Sequence, residues 1–174
     1  GQVHRVLALV SCFCYNEYKT DKKIHPRTNA EGKPREYIVN PYQIAATNGR
    51  YYLICNYDKY DNVSNYRLDR ITNIKVLDIP VKPTKQVKGL ENGLNLPKHM
   101  AEHIYMFSGE SERVTMCLDK FLVNDVIDWF GKEVSFYDET EDEVTASVVV
   151  NLQAMRYWAM QYANHAEVLK PEKL

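Results

Sequence analysis

The sequence predicts a mixed fold in two parts: a small antiparallel β-barrel followed by a ferredoxin-like α+β domain. Three observations carry this. Short β-propensity runs separated by tight-turn residues fill residues 37–78. Beyond residue 110 the pattern changes to strand, helix, strand, strand, helix, strand, the βαββαβ order of a split βαβ sandwich. The charge also divides: residues 1–83 hold 13 Lys and Arg against 8 Asp and Glu, whereas residues 84–174 hold 9 against 15. The expected boundaries are therefore a barrel over 1–83, a linker with a short helix over 84–110, and the α+β domain over 111–174.

In chain order, Val3, Val6, Leu7 and Val10 stand at helical spacing and predict a short helical lead-in. A β run starts at residues 11–15, with Cys12 and Cys14 sharing one face as small apolar groups. Residues 16–36 are polar and punctuated by Pro, Gly and Asn, which suits an extended hairpin or ordered excursion. Strands are expected at 37–44, 50–56 and 66–78. Asn48-Gly49 is the strongest hairpin signal in the chain, because both residues tolerate the positive φ of a type I′ turn. Residues 89–97 read as linker and 98–107 as a short helix. In the second half, strands are expected at 114–118, 134–137, 144–150 and 166–169, and helices at 122–130 and 152–163.

Composition limits the function classes. Of 174 residues, 45% are apolar and 26% charged, with seven Gly and seven Pro, an ordinary globular profile without low-complexity sequence. No window approaches the ~18 consecutive apolar residues of a membrane-spanning helix. The four cysteines contain no CxxC pair, so a reducing, cytoplasmic setting is expected and a zinc site is not. The chain begins with Gly and shows no signal-peptide pattern, and is read as part of a longer protein. Nine of the 13 tyrosines fall between Tyr15 and Tyr66. A basic, Tyr-rich half points to an anionic partner; the alternative is that tyrosines fill a small β core.

Two stretches go further. Pro41-Tyr42-Gln43-Ile44, followed by Asn48-Gly49-Arg50-Tyr51-Tyr52-Leu53, and then Tyr66-Arg67-Leu68-Asp69-Arg70-Ile71, resemble the WYL domain of bacterial transcriptional regulators. The name tripeptide stands here as Tyr51-Tyr52-Leu53, with Tyr replacing Trp. The resemblance runs over about residues 13–79, and the acidic half is similar to the C-terminal extension that commonly follows such domains. It implies a small Sm-like, SH3-type barrel that senses a nucleotide-like or short single-stranded nucleic-acid effector. It also implies DNA contact through an N-terminal winged-helix head, which residues 1–10 are too few to hold, and a homodimer. The family often carries a further Arg three residues before its Tyr-Arg pair; here that position is Ser64, which implies a weaker phosphate site or a shifted specificity.

The residue types fit that chemistry. Arginine offers a planar, permanently charged fork for phosphate oxygens, and tyrosine offers a ring face for bases and a hydroxyl for hydrogen bonds. Arg67 and Arg70 lead the candidate ligand-binding set. In a regular strand they would face opposite sides, so both can line one site only at a strand end or bulge. The competing reading has Asp69 pair with one of them and fix the closing strand. Tyr52, Tyr15, Tyr37 and Tyr51 follow as stacking platforms or hydroxyl donors, each with a core role as its alternative. His25 and Arg27 lie in the polar excursion, where they either reach over a pocket mouth or are solvated.

Catalytic patterns do not compete. The sequence has no GxSxG, P-loop, HExxH or GxGxxG before a helix. His99 and His103 stand at i, i+4 with no evident third metal ligand, and surface packing is expected for them. The acidic run at 139–143 reads as a solvated turn. No enzyme, metal or cofactor is expected. The leading function is the ligand-sensing portion of a regulator, relaying effector binding through dimer geometry. The alternatives are a non-switching nucleic-acid-binding barrel, or a dimerisation scaffold with a vestigial pocket, motivated by Ser64 and by the apolar helix Ala154–Ala163 with its Trp158 and Met160.

Overall fold

The computed structural model describes residues 5–11, as backbone, and residues 28–174, with the Thr72 side chain excepted. It divides into two compact units, Gly1–Leu94 and Asn95–Leu174. The architecture is mixed, built on mostly antiparallel sheets with three α-helices. Among the described residues no helix is long and apolar enough to cross a membrane.

Among the described residues the first unit holds five strands: β1 Arg5–Ser11, β2 Glu36–Thr47, β3 Arg50–Tyr57, β4 Val63–Arg67 and β5 Ile71–Pro80. They form one antiparallel sheet in the order β4-β3-β2-β1-β5. The β2–β3 hairpin turns at Asn48 (φ 49°) and Gly49 (φ 70°), the two positive φ values that a type I′ turn demands. The lead-in is a strand and not a helix. Residues 6–10 are a continuous apolar run, which periodicity alone does not assign, and pairing with β2 on one side and β5 on the other decides the matter.

The expected single strand over 66–78 is broken. Leu68–Arg70 form a 3₁₀ turn, closed by the Ile71 N–H on the Leu68 carbonyl. That turn shapes the unit. Strands β4 and β5 are opposite edges of the sheet, and a flat five-stranded sheet would hold its edge strands about 19 Å apart, at ~4.8 Å per spacing. A 3₁₀ turn advances about 2 Å per residue, roughly 8 Å from Arg67 to Ile71. The sheet must therefore roll until its edges approach at this corner.

The rolled sheet encloses a core of Tyr37, Val39, Leu53 and Cys55, with Tyr57, Tyr66, Leu68 and Ile71 packed against it. The other face of β3 carries Ile54 and Asn56, both fully buried. Beneath them lies a polar junction. Asn40 Nδ2 donates to Asn56 Oδ1 (3.1 Å) and Asp58 Oδ1 (3.3 Å), while Asn40 Oδ1 accepts from the Lys82 backbone N–H (2.9 Å). Asn56 Nδ2 donates to the Tyr60 and Asn62 carbonyls (2.7 and 2.9 Å). The bonds to Lys82, Tyr60 and Asn62 pin loop backbone groups, and the bonds from Asn40 to Asn56 and Asp58 tie the side chains together.

The second unit runs α1 Leu96–Glu102, β6 Ser111–Asp119, α2 Val123–Phe130, β7 Ser135–Tyr137, β8 Glu143–Asn151, α3 Leu152–Gln161 and β9 Ala166–Lys170. Its sheet is antiparallel, in the order β7-β8-β6-β9. Alternation places Val114, Met116 and Leu118 of β6 with Val144, Ala146, Val148 and Val150 of β8 on one face, buried against Val126, Phe130, Met155 and Trp158 of the helices. The helix ends are set by side chains. Asn95 caps α1 through the Lys98 N–H (3.1 Å), and Asn151 caps α3 through the Gln153 and Ala154 N–H groups (3.1 Å each). Gly131, at φ 78°, stops α2. Trp158, expected to be available to a partner, is instead fully buried, and Met160 two positions on is 76% exposed.

Candidate functional site

The corner between β4 and β5 collects the leading candidates. Arg67 ends β4 in extended conformation, and the chain then tightens into the 3₁₀ turn that carries Asp69 and Arg70. The strand end that would let both arginines serve one site is therefore present. Across the ladder Arg67 stands directly opposite Tyr52, so the guanidinium and that ring share a face. Asn65, two residues before Arg67, belongs to the same face, a neighbour that sequence reading missed because only its strand register marks it.

Asp69 holds Arg67 in a two-pronged grip. Arg67 Nε donates to Asp69 Oδ1 at 3.0 Å and Nη2 donates to Oδ2, a planar fork-to-carboxylate arrangement. The hydrogen bond from Arg67 keeps the Asp69 carboxyl below the usual range, and the charge of Arg70 acts in the same direction. The Arg67 side chain is only 20% exposed, and Asp69 lies at the surface. Arg70 is half-buried at the end of the turn.

The other tyrosines separate by face. Tyr37 is 5% exposed in the core, its ring 5.3 Å from Tyr57 and 5.6 Å from Tyr66. Its hydroxyl has no hydrogen-bond partner among the described residues. Tyr51 alternates with Tyr52 along β3, so it points to the face opposite Arg67, and it is 62% exposed. Tyr15, His25, Arg27 and the Cys12–Cys14 pair lie outside the described residues. Ser64 pairs with Cys55 across the β3–β4 ladder, and the buried Cys55 thiol donates to the Ser64 carbonyl (3.5 Å); burial pushes that thiol's pKa up. Tyr42 donates its hydroxyl to the Lys82 carbonyl (2.9 Å), and burial pushes its pKa up to about 12.

His99 and His103 are not surface residues. Each is 6% exposed, and their rings face one another with centroids 4.3 Å apart. His103 Nδ1 donates to the Phe107 carbonyl at 2.9 Å. Burial, then the neighbouring His103, depress His99 to about 4; burial also lowers His103. No group of three His, Cys, Asp or Glu side chains among the described residues is placed to hold a metal ion. The acidic turn is tied by Thr140, whose Oγ1 accepts from the Glu143 N–H (3.0 Å), and Lys120 pairs with Glu139.

The first unit is thus an antiparallel sheet with an Arg-Tyr pair at the corner between its edge strands. Comparison with known proteins makes the first unit more specific. Residues 23–76 match the sequence model of the WYL domain family. No curated protein matches the chain in sequence. Among solved structures it is similar to the proteasome accessory factor B/C of Arthrobacter aurescens, with 16% identity and a TM-score of 0.41 over 98% of this chain. The chain spans 23% of the length of that protein.

Proposed function

We propose that this chain is the effector-sensing part of a bacterial transcriptional regulator. Its first unit is read as an Sm-like barrel, supported by the sheet order and the rolled corner. Its second is read as a ferredoxin-like extension, supported by the order β7-β8-β6-β9. The effector is nucleotide-like or a short single-stranded nucleic acid, and its proposed ligands are Arg67, Arg70 and Tyr52. Two copies pair, and the effector's unequal affinity for two arrangements of that dimer is the signal passed to a DNA-binding head. Binding and regulation, without turnover, are the activity.

The observation that carries this reading is the register pair Tyr52–Arg67 at the end of β4. A ring face and a guanidinium on neighbouring strands offer one stacking surface and one anion fork within a single residue spacing. The match to the WYL domain over 23–76 supports it independently. Asp69 engages the Nε and Nη2 edge of the fork, so an incoming phosphate competes with a surface carboxylate for Arg67.

The bidentate Arg67–Asp69 pair also favours a second reading, in which Arg67 fixes the corner of a scaffold and binds nothing. One experiment separates the two. Thermal unfolding is followed with cyclic and linear nucleotides and with short single strands, on the parent chain and on Arg67→Ala and Arg70→Ala. The sensing reading expects a ligand-induced rise in melting temperature that both variants lose. Loss of basal stability in Arg67→Ala, with no ligand response in the parent, leaves the scaffold. A steep salt dependence that grows with oligonucleotide length identifies a non-switching backbone binder.

A further inference from the structure

In the second unit the helices cover one face of the sheet, and the strand register fixes what the other face presents. Its charges are sorted by end. Asp119 of β6 lies directly opposite Glu143 of β8, and Glu167 of β9 lies opposite Cys117, one row inward. Toward the other end, Lys170 of β9 lies opposite Thr115, and Arg113 lies one row beyond. Arg113 Nη1 donates to Ser147 Oγ at 3.2 Å, so its guanidinium lies across this face. Between the charged ends the face is uncharged: Thr145 and Ser147 stand at the centre and are themselves buried, 9% and 5% exposed, and the exposed Tyr137 and Val149 stand at its margins.

Two features of that face are incomplete in a single copy. Like charges in direct cross-strand register destabilise a sheet, and Asp119 and Glu143 are such a pair, relieved in part by His165, whose Nδ1 lies 2.7 Å from Asp119 Oδ2. Exposed apolar groups also stand on that face, Tyr137 on β7 and Val149 on the neighbouring β8, and Leu169 is exposed at the β9 bulge on the opposite edge of the sheet.

We propose that this face packs against the same face of a second copy, about a two-fold axis that crosses the strands at the level of Met116. Such an axis reverses strand direction and brings acidic end over basic end. Residues 113 and 119 are equidistant from 116 on β6, so Arg113 lies over the partner's Asp119. The Thr115 and Cys117 rows exchange, so Glu167 lies over the partner's Lys170. Symmetry doubles each pair, giving four opposite-charge contacts around an uncharged centre, an isologous sheet-on-sheet interface with the ~10 Å separation usual for stacked sheets. The alternative axis, parallel to the strands, sets acid on acid and base on base.

This surface rests on the homodimer in the proposed function, and its test separates the two. Self-association of the full chain is measured by sedimentation or light scattering for the parent, Lys170→Glu, Glu167→Lys, and the double variant. Positions 167 and 170 are exposed, and circular dichroism checks that each variant keeps the parent's fold. The parent is expected to dimerise. Each single reversal sets like charges face to face twice and weakens the dimer by about tenfold or more, and the double variant restores it. A dimer indifferent to both single reversals, or weakened by both and not restored by the double variant, overturns this interface but leaves the homodimer standing. A monomeric parent overturns both.

Discussion

Replacing His99 with leucine should remove much of the acid sensitivity of the second unit. In the folded chain the His99 imidazole is depressed to about 4, from the ordinary 6.5, because burial and the neighbouring His103 penalise its charged form. In the unfolded chain it titrates near 6.5. Between those values the unfolded state binds a proton that the folded state refuses, so stability present above pH 6.5 is lost as pH falls toward 4. The slope is about 1.4 kcal/mol per pH unit for one group, hence about 2 kcal/mol between pH 6.5 and 5 and about 3 kcal/mol by pH 4. His103 shifts in the same direction and adds to the loss. Glu102, whose carboxyl is raised by burial, acts oppositely, gaining stability as pH falls, and cancels when parent and variant are compared.

Both tryptophans, Trp129 and Trp158, belong to the second unit, so their fluorescence during urea unfolding reports on it selectively. Unfolding free energy measured at pH 7.5, 6.0 and 5.0 should fall steeply for the parent and more gently for His99→Leu. Equal slopes for the two proteins would refute the reasoning.

Three further outcomes are expected. Tyr37→Phe removes a buried hydroxyl without a partner among the described residues, and should leave stability unchanged or raise it by up to about 1 kcal/mol in urea unfolding; a loss of that size would mean the hydroxyl is satisfied. Asn40→Ala strands the Lys82 N–H and the Asn56 side-chain Oδ1 together, and should cost about 2–3 kcal/mol, read as a lower thermal midpoint for the first unit; a change below about 0.5 kcal/mol would dismiss the polar junction as structural glue. Asp69→Asn takes away the carboxylate that competes for Arg67, so oligonucleotide affinity should rise about threefold or more in a titration at low salt, and an unchanged or weaker affinity would show that Asp69 does not oppose the ligand.

Local chemistry made some of this fold legible in advance. Asn48-Gly49 names its turn because few residue pairs accept two positive φ values, and the succession from β6 to β9 is written in switches between two-residue and helical periodicity. Longer-range constraints were hidden. The run at residues 6–10 suits helix or strand, and only partners on both sides choose. Leu68-Asp69-Arg70 continues a strand pattern in sequence, and the need to roll the sheet makes it turn. His99 sits in a short helix with too few apolar residues to announce burial and His103 just past its end, so the pair became visible only with the rest of the unit around it. Trp158 and Met160 are about 200° apart on α3, at ~100° per residue, and their opposite fates follow from which side meets the sheet. At the site, residue type nominated Arg67 and Tyr52, whereas register separated Tyr52 from Tyr51 and Tyr37.

The most direct test is fluorescence anisotropy of a labelled short single-stranded oligonucleotide titrated with the parent chain and with Arg67→Ala at matched salt, with unfolding midpoints measured alongside. The account predicts saturable binding by the parent and at least about tenfold weaker binding by the variant, consistent with loss of a charge-assisted, two-pronged contact. Equal affinities in two well-folded proteins would contradict it.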